Sequence, residues 1–373
     1  ASGTKVEETK VENAAKTETS STKVEETTVE RTAKTETNST KVEEPEVKTK
    51  TEAESKTKDG KVPEGNVKGV QKEIKLSDKH EIKYTKNGDA YLCSPYCLRI
   101  DDFTSKYQSD IENKAWVKDR LNKIGDMDAK AQQKALNELE NDIYVDHAKK
   151  VGLTEDQANI SRDKHFREYP DTVKQENIDT SKPVEQQIDK LYQDALKADG
   201  DLKTFTQKIA DETGGEAGFR PRHEDGPEQY QGLKKRKRVK EKTEEYIEEG
   251  LEGMPNVMDV SGSKILYDSI DALYKGLDLL YKQAGANGVE VVKFKDKIIK
   301  PYKVGYGDIK VSLKMKNGHV VELKLGMKPI DKLSDMEHGL YEKKRVGEKL
   351  TEAEEIEFAG FKEKYKKSWE EIF

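Results

Sequence analysis

The sequence predicts an α+β fold: a mixed β-sheet flanked by helices at the C-terminus, behind a helical region and a disordered, repetitive N-terminus. Three observations carry this. Thr-Lys-Val-Glu-Glu recurs at Thr4, Thr22 and Thr40, in a segment with no aromatic residue. Residues 103–150 and 184–212 place apolar side chains at helical spacing. The last third runs strand–helix–strand–strand–strand and then into helices, the pattern of a sheet covered by helices.

Residues 1–69 read as a solvated spacer. Thr, Lys, Glu, Val, Ser and Ala dominate it, and its sparse valines cannot bury enough surface to balance the entropy of ordering. A solenoid of repeats would need a continuous apolar face that is missing here. Residues 70–200 read as mainly helical and show no chemistry. Within them, EIKYTKNGDAYLCSPYCLRI is a short hairpin around Asn87-Gly88 followed by a turn that carries Cys93 and Cys97. Trp116, Leu121, Ile124, Leu136, Leu139 and Ile143 are core positions of the 103–150 helical stretch. Residues 151–183 are polar and loop-like. Ile188, Leu191, Tyr192, Leu196, Leu202, Phe205 and Ile209 form the apolar stripe of the next helix. From residue 201 to 373 the chain forms its most structured part, with strands in MPNVMDVSGSKILYDS and VEVVKFKDKII, a helix in IDALYKGLDLLYKQA, a hairpin around Asn317-Gly318, and terminal helices.

Composition narrows the function classes less than the motifs do. The chain has 373 residues, 38% charged and 33% hydrophobic; 68 basic and 74 acidic residues leave a net charge of −6. Local patches, not net charge, must therefore decide about anionic partners. No apolar stretch approaches the ~18 residues of a membrane span. The first residue is Ala and no signal peptide opens the chain, so a processed piece or a fragment is expected. Two cysteines make no disulfide framework; they are free thiols or one local bridge, and a zinc site would need His147 or His165 as well.

The hairpin raises a question. A two-residue Asn317-Gly318 loop sets Leu313 opposite Glu322, which puts an acid on the apolar face of Ile309, Val311, Leu313 and Met315. Either a bulge reverses the parity, or Glu322 has a charged partner such as a metal ion. Asp259, beside the Gly262 turn, is a second acid at the end of a neighbouring strand, either a turn-former bonded to its own backbone or a metal ligand held from a rigid position. Two carboxylates with substrate phosphates suit Mg²⁺. In GLKKRKRVKEK, a helix would align Lys234, Arg238 and Lys242 on one face, a match for a triphosphate; a solvated face paired with Glu244, Glu245, Glu248 and Glu249, or a nucleic-acid patch, is the alternative. Tyr306, between Gly305 and Gly307, either stacks on a base or caps the core edge. His338, Tyr341 and Arg345 share a helical face.

In this order the pieces resemble the RelA/SpoT-like nucleotidyl pyrophosphokinase domain, from about Gly218 to Arg345. The resemblance rests on FRPRHEDGPEQYQGLKKRKRVKEK, MDVSGSKILYDSIDALYKGL, VVKFKDKIIKPYKVGYGDIKVSLKMKNGHVVELKL and EHGLYEKKR. It implies a nucleotidyltransferase-like sheet and transfer of the β,γ-pyrophosphate of ATP to a ribose 3′-hydroxyl. It makes Asp259 and Glu322 the Mg²⁺ ligands and catalytic acids, with Glu322 also helping to deprotonate the acceptor. Lys234, Arg238 and Lys242, extended by Lys293, Lys295 and Lys297, become ATP-binding cations. Tyr306 stacks on the acceptor base, and His338 lies near it. Lys264, Gly307 and Lys324 depart from the usual Arg, Arg and Gln, which leaves the acceptor open among guanine nucleotides, adenine nucleotides and a transfer RNA 3′ end. A synthetase without a hydrolase behind a spacer looks like a toxin-type member, acting in a bacterial cytoplasm and countered by an antitoxin or immunity protein. The alternatives are a nucleic-acid-binding module led by residues 234–242, or an interaction protein without catalysis.

Overall fold

A computed structural model describes residues 62–63, 67–94, 96–223, 228–230 and 232–373. The Thr-Lys-Val-Glu-Glu repeats lie outside these residues. The described part contains two five-stranded sheets, each with helices packed on it, as the sequence predicts for the C-terminal one.

The first sheet is antiparallel. It comprises β1 (Val62–Pro63), β2 (Val70–Lys75), β3 (Glu81–Thr85), β4 (Ala90–Ser94) and β5 (Tyr96–Arg99), in the order β1-β5-β4-β3-β2. A whole sheet thus stands where the sequence reading places one hairpin in a mainly helical region. Cys93 and Cys97 face each other across β4 and β5 and form a disulfide, the local bridge among the expected alternatives. Ile82 and Leu92 pack against Phe103, Ile111, Leu121 and Ile143 from α1 (Asp101–Asn113), α2 (Ala115–Gly125) and α3 (Ala129–Lys150). The 151–183 segment, expected as loop, contains α4 (Glu155–His165). Its start is a capping box in which Thr154 and Gln157 satisfy each other's backbone amides.

The helix α5 (Val184–Thr213) runs without a break through the expected boundary at 200/201. Its first half packs Ile188, Leu191 and Tyr192 against Leu233, Val239, Val257 and Val260. Its second half packs Leu202, Phe205 and Ile209 onto the second sheet. That sheet comprises β6 (Glu216–Phe219), β7 (Gly262–Tyr267), β8 (Glu290–Asp296), β9 (Ile309–Lys314) and β10 (Val320–Met327), in the order β6-β7-β10-β9-β8. β7 and β10 are parallel and the other pairs antiparallel. One face buries Ile265, Val311, Leu323 and Leu325 under α5 and α7 (Ile270–Ala284), whose Leu273, Leu277 and Leu280 meet them. The other face carries the polar residues of the same strands. Around it stand α6 (Arg236–Glu248), α8 (Lys328–Arg345) and α9 (Glu352–Ile372).

The hairpin register answers the question about Glu322. The loop has three residues, Lys316-Asn317-Gly318, closed by Met315 and His319, with Gly318 at φ 81°. A left-handed glycine at the third position is the bulged form of the turn. It pairs Glu322 with Ser312, not with Leu313, and so turns the carboxylate to the polar face. The tripeptide Lys86-Asn87-Gly88 closes the β3–β4 hairpin in the same way, with Gly88 at φ 87°.

Candidate functional site

The site forms where β7 begins, beside the middle of the polar face. Asp259 lies in the loop just before β7. Its Oδ2 accepts hydrogen bonds from Lys234 Nζ at 2.8 Å and Lys242 Nζ at 2.9 Å. Its side chain is only 16% exposed. Burial alone would raise its pKa, but the two ammonium groups outweigh it and hold the carboxylate well below the usual range. Oδ1 is buried and has no hydrogen-bond partner. The Arg220 guanidinium donates to the Asp259 carbonyl at 2.9 Å, so a third cation stands beside the same residue.

Glu322 lies level with Gly262 on the adjoining strand, and its backbone amide donates to the Ser261 carbonyl at 3.3 Å. Asp259 is two residues from that carbonyl. Lys242 is pushed down by burial but raised overall by Asp259 and, more weakly, by Glu322, so both acids act on one ammonium. Lys234, more strongly desolvated and flanked by Arg220 and Lys242, is lowered. The two acids thus share one side of the sheet.

The three aligned cations expected from the sequence divide into two roles. Lys234 precedes the helix, which begins at Arg236, so no continuous i, i+4, i+8 stripe exists. Its backbone amide is held instead by the Val260 carbonyl at 2.8 Å, and that tertiary bond aims its ammonium at Asp259. Lys242 reaches Asp259 from the helix. Arg238 does not; it pairs with Glu241 and Glu245. It nonetheless lines a cleft of about 780 Å³, with Arg220, Lys234, Lys237, His338 and Arg345. His338, expected near the acceptor base, thus lines the same cleft as these cations, and Arg345 ties α8 to α6 through Glu241 at 3.0 Å.

The remaining expected residues lie farther along the face. Lys293 pairs with Ser312, and Ser312 with Glu322, so all three share one row across the sheet. Lys295, Lys310, Lys324 and Lys264 make the next row. Like charges side by side in a row repel, which favours an anion above them. Lys324 relieves some of this by lying 3.6 Å from Glu322 and 4.0 Å from Asp308. Lys297 leaves the face and lies over the Tyr302 ring, 5.1 Å from its centre. Tyr306 is partly buried: its hydroxyl donates to Asp308 at 2.8 Å, and Tyr365 of α9 meets its ring edge-on. It occupies the core-edge position of the two expected alternatives, while the exposed ring of this loop is Tyr302.

Two residues escaped the sequence reading. Arg220 follows β6 in the run Arg-Pro-Arg-His, where a basic run at a strand end was the available signal. Asp308 is 2% exposed, with an unpartnered Oδ1; only the fold brings Lys324 to within 4.0 Å of it.

No family model and no curated protein matches the chain. Among solved structures it is similar to a GTP pyrophosphokinase family protein from Streptococcus pneumoniae, at 16% identity and a TM-score of 0.39, covering 51% of this chain and 92% of that one. It is also similar to small alarmone synthetase 1 from Bacillus subtilis bound to its product pppGpp, at 15% identity and a TM-score of 0.39, covering 50% and 95%. A third is the Type VI effector Tas1 in complex with its immunity protein, at 17% identity and a TM-score of 0.33, covering 50% and 100%. The likeness to these structures is one of fold, and it extends over about half of the chain.

Proposed function

We propose that the chain transfers the β,γ-pyrophosphate of ATP to the 3′-hydroxyl of a nucleotide or of a transfer RNA 3′ end. One observation carries this reading. Arg220, Lys234 and Lys242 converge on Asp259 beside Glu322, an excess of positive charge at the mouth of a cleft of about 780 Å³. A cluster of this kind is completed by a polyanion, and the cleft extends it with Arg238 and Arg345. The order of motifs along the chain, which resembles the RelA/SpoT-like synthetases, supports the same reading.

Mg²⁺ fits the residues present. Asp259 Oδ1 is a buried carboxylate oxygen without a partner, and Glu322 offers a second hard oxygen donor. Two carboxylates together with substrate phosphates suffice to hold such an ion. When bound, Mg²⁺ supplies charge neutralisation at the phosphate oxygens.

The chemistry assigned to the chain's own residues is then as follows. Arg220, Lys234 and Lys242 bind the phosphates and neutralise charge that spreads over them during transfer. The acceptor's 3′-oxygen forms a bond to the β-phosphorus of ATP. The bond from that phosphorus to the oxygen bridging it to the α-phosphorus breaks, and AMP leaves. Glu322 takes the proton of the attacking hydroxyl. Arg238, His338 and Arg345 orient the donor along the cleft.

The test is incubation with β-labelled ATP, Mg²⁺ and a panel of nucleotides and transfer RNA. AMP and one 3′-pyrophosphorylated acceptor are expected, and Glu322→Gln should lower transfer by about a thousandfold with an unchanged circular dichroism spectrum. AMP formation with no acceptor in the panel, or full turnover by the variant, would refute the assignment.

A further inference from the structure

A second cleft, of about 850 Å³, lies between the Pro301–Gly305 loop and α9. Its volume suits a small-molecule ligand. Val151 and Ile298 line it together with the rings of Tyr302, Trp369 and Phe373. Tyr302 is 42% exposed and stacks on Tyr306 with ring centres 6.1 Å apart, and Trp369 stacks on Phe373 at 5.7 Å. Lys297 and Lys310 hold their ammonium groups 5.1 and 5.5 Å from the centre of the Tyr302 ring.

The charges around this cleft are unbalanced in one direction. Glu363 and Glu370 line it, but both lie 3.8 Å from Lys366. Lys303 and Lys362 also line it, and among the described residues neither has a carboxylate within salt-bridge distance. At the Asp259 site, by contrast, Lys234 and Lys242 are both paired with the carboxylate. Flat rings beside unpaired ammonium groups match a ligand with a flat base at one end and phosphate at the other.

We propose that this cleft binds a nucleoside phosphate, its base against Tyr302 and Trp369 and its phosphates on Lys303 and Lys362, at a site distinct from that of Asp259 and Glu322. The loop that forms its wall also carries Tyr306. The Tyr302 amide donates to the Tyr306 carbonyl at 2.9 Å, the Gly305 amide to the Tyr302 carbonyl at 2.8 Å, and Trp369 Nε1 to the Gly305 carbonyl at 3.0 Å. A ligand seated here bears on the segment whose other side faces the lysine rows of the sheet.

The chain has two tryptophans, so Trp116→Phe leaves Trp369 as the sole reporter. This protein is titrated with ATP and with GTP in metal-free buffer while indole fluorescence is followed. A saturable change is expected with at least one of them. It should persist when Lys242→Ala is added at the catalytic cleft, and weaken at least tenfold with Lys303→Glu and Lys362→Glu together. Both of these lysines are exposed, so the pair should fold, which circular dichroism checks. No saturable change with either nucleotide overturns the proposal. So does a change that Lys242→Ala abolishes, or one that the Lys303/Lys362 pair leaves untouched. The readout is independent of catalysis: a protein that responds here yet forms no AMP keeps this site and loses the catalytic reading, and the reverse result does the opposite.

Discussion

Asp259→Asn is the most informative substitution, because it keeps the shape of the side chain and removes only the charge. Lys234 and Lys242 then face each other and Arg220 with only the weaker pull of Glu322 on Lys242 as counter-charge. Removing one partner of a buried ion pair costs about 3–5 kcal/mol. Lys234, residue 259 and Lys242 retain 13 to 22% exposure, so water recovers part of this. The lower end applies, about 3 kcal/mol, or roughly a hundredfold in the folding equilibrium. Urea unfolding followed by circular dichroism should show a lower midpoint with an unchanged slope. A double-mutant cycle with Lys242→Met isolates the bridge, with an expected coupling of about 1–3 kcal/mol. Binding of metal-free ATP should tighten in Asp259→Asn, because a negative charge has left the cradle, while turnover is lost. A coupling energy near zero, or weaker metal-free ATP binding, would refute the charge cluster as described.

Two further expectations test the fold. His319 is 2% exposed, and burial lowers its pKa to about 4, with Asp194 raising and Lys190 lowering it further. Its unfolded value is ~6.5, so the unfolded chain binds a proton first as the pH falls; roughly 3 kcal/mol of stability present above pH ~6.5 is lost on descending to about pH 4, and His319→Asn should flatten that part of the stability profile relative to wild type. An unchanged slope would place His319 elsewhere. At Gly276 in α7, an added Cβ would lie 2.0 Å from the Tyr267 hydroxyl. Gly276→Ala should therefore destabilise by about 2 kcal/mol despite the better helix propensity of alanine; a stabilised variant in urea unfolding would contradict the packing.

Periodic segments were legible in the sequence, and tertiary choices were not. Most of the apolar stripe of α5, and the succession of strands and helix from β7 to β10 along the chain, follow from side-chain spacing; Leu196 of that stripe is exposed, and β6 and the order of strands within the sheet do not follow from it. The loop at Lys316-Asn317-Gly318 does not, because Asn-Gly serves a two-residue turn and a bulged three-residue turn alike, and the two differ by one residue in register. The helix α4 was missed because its buried side is Gln157, Ala158 and Ser161, which carry no hydrophobic stripe; the Thr154–Gln157 box was the signal present. Lys234 was assigned to a helix by its spacing, yet the Val260 carbonyl holds it outside. Glu322 stood out through a two-residue register that the bulge overturns, and Asp259 gained its role from the resemblance and not from its local sequence. Asp308 did not, since nothing in its loop shows that it is buried or that Lys324 reaches it from β10.

The unbroken course of α5 has a mechanical consequence. Its first half is welded to the elements that hold Lys234 and Lys242, and its second half to the sheet that holds Glu322. Between the halves sits Gly200, where an added Cβ would meet nothing within 4 Å. The one helix thus fixes how far the cation-bearing block stands from the sheet, and beside Gly200 the Ser261 hydroxyl adds a tie, donating to the Asp199 carboxylate at 2.8 Å.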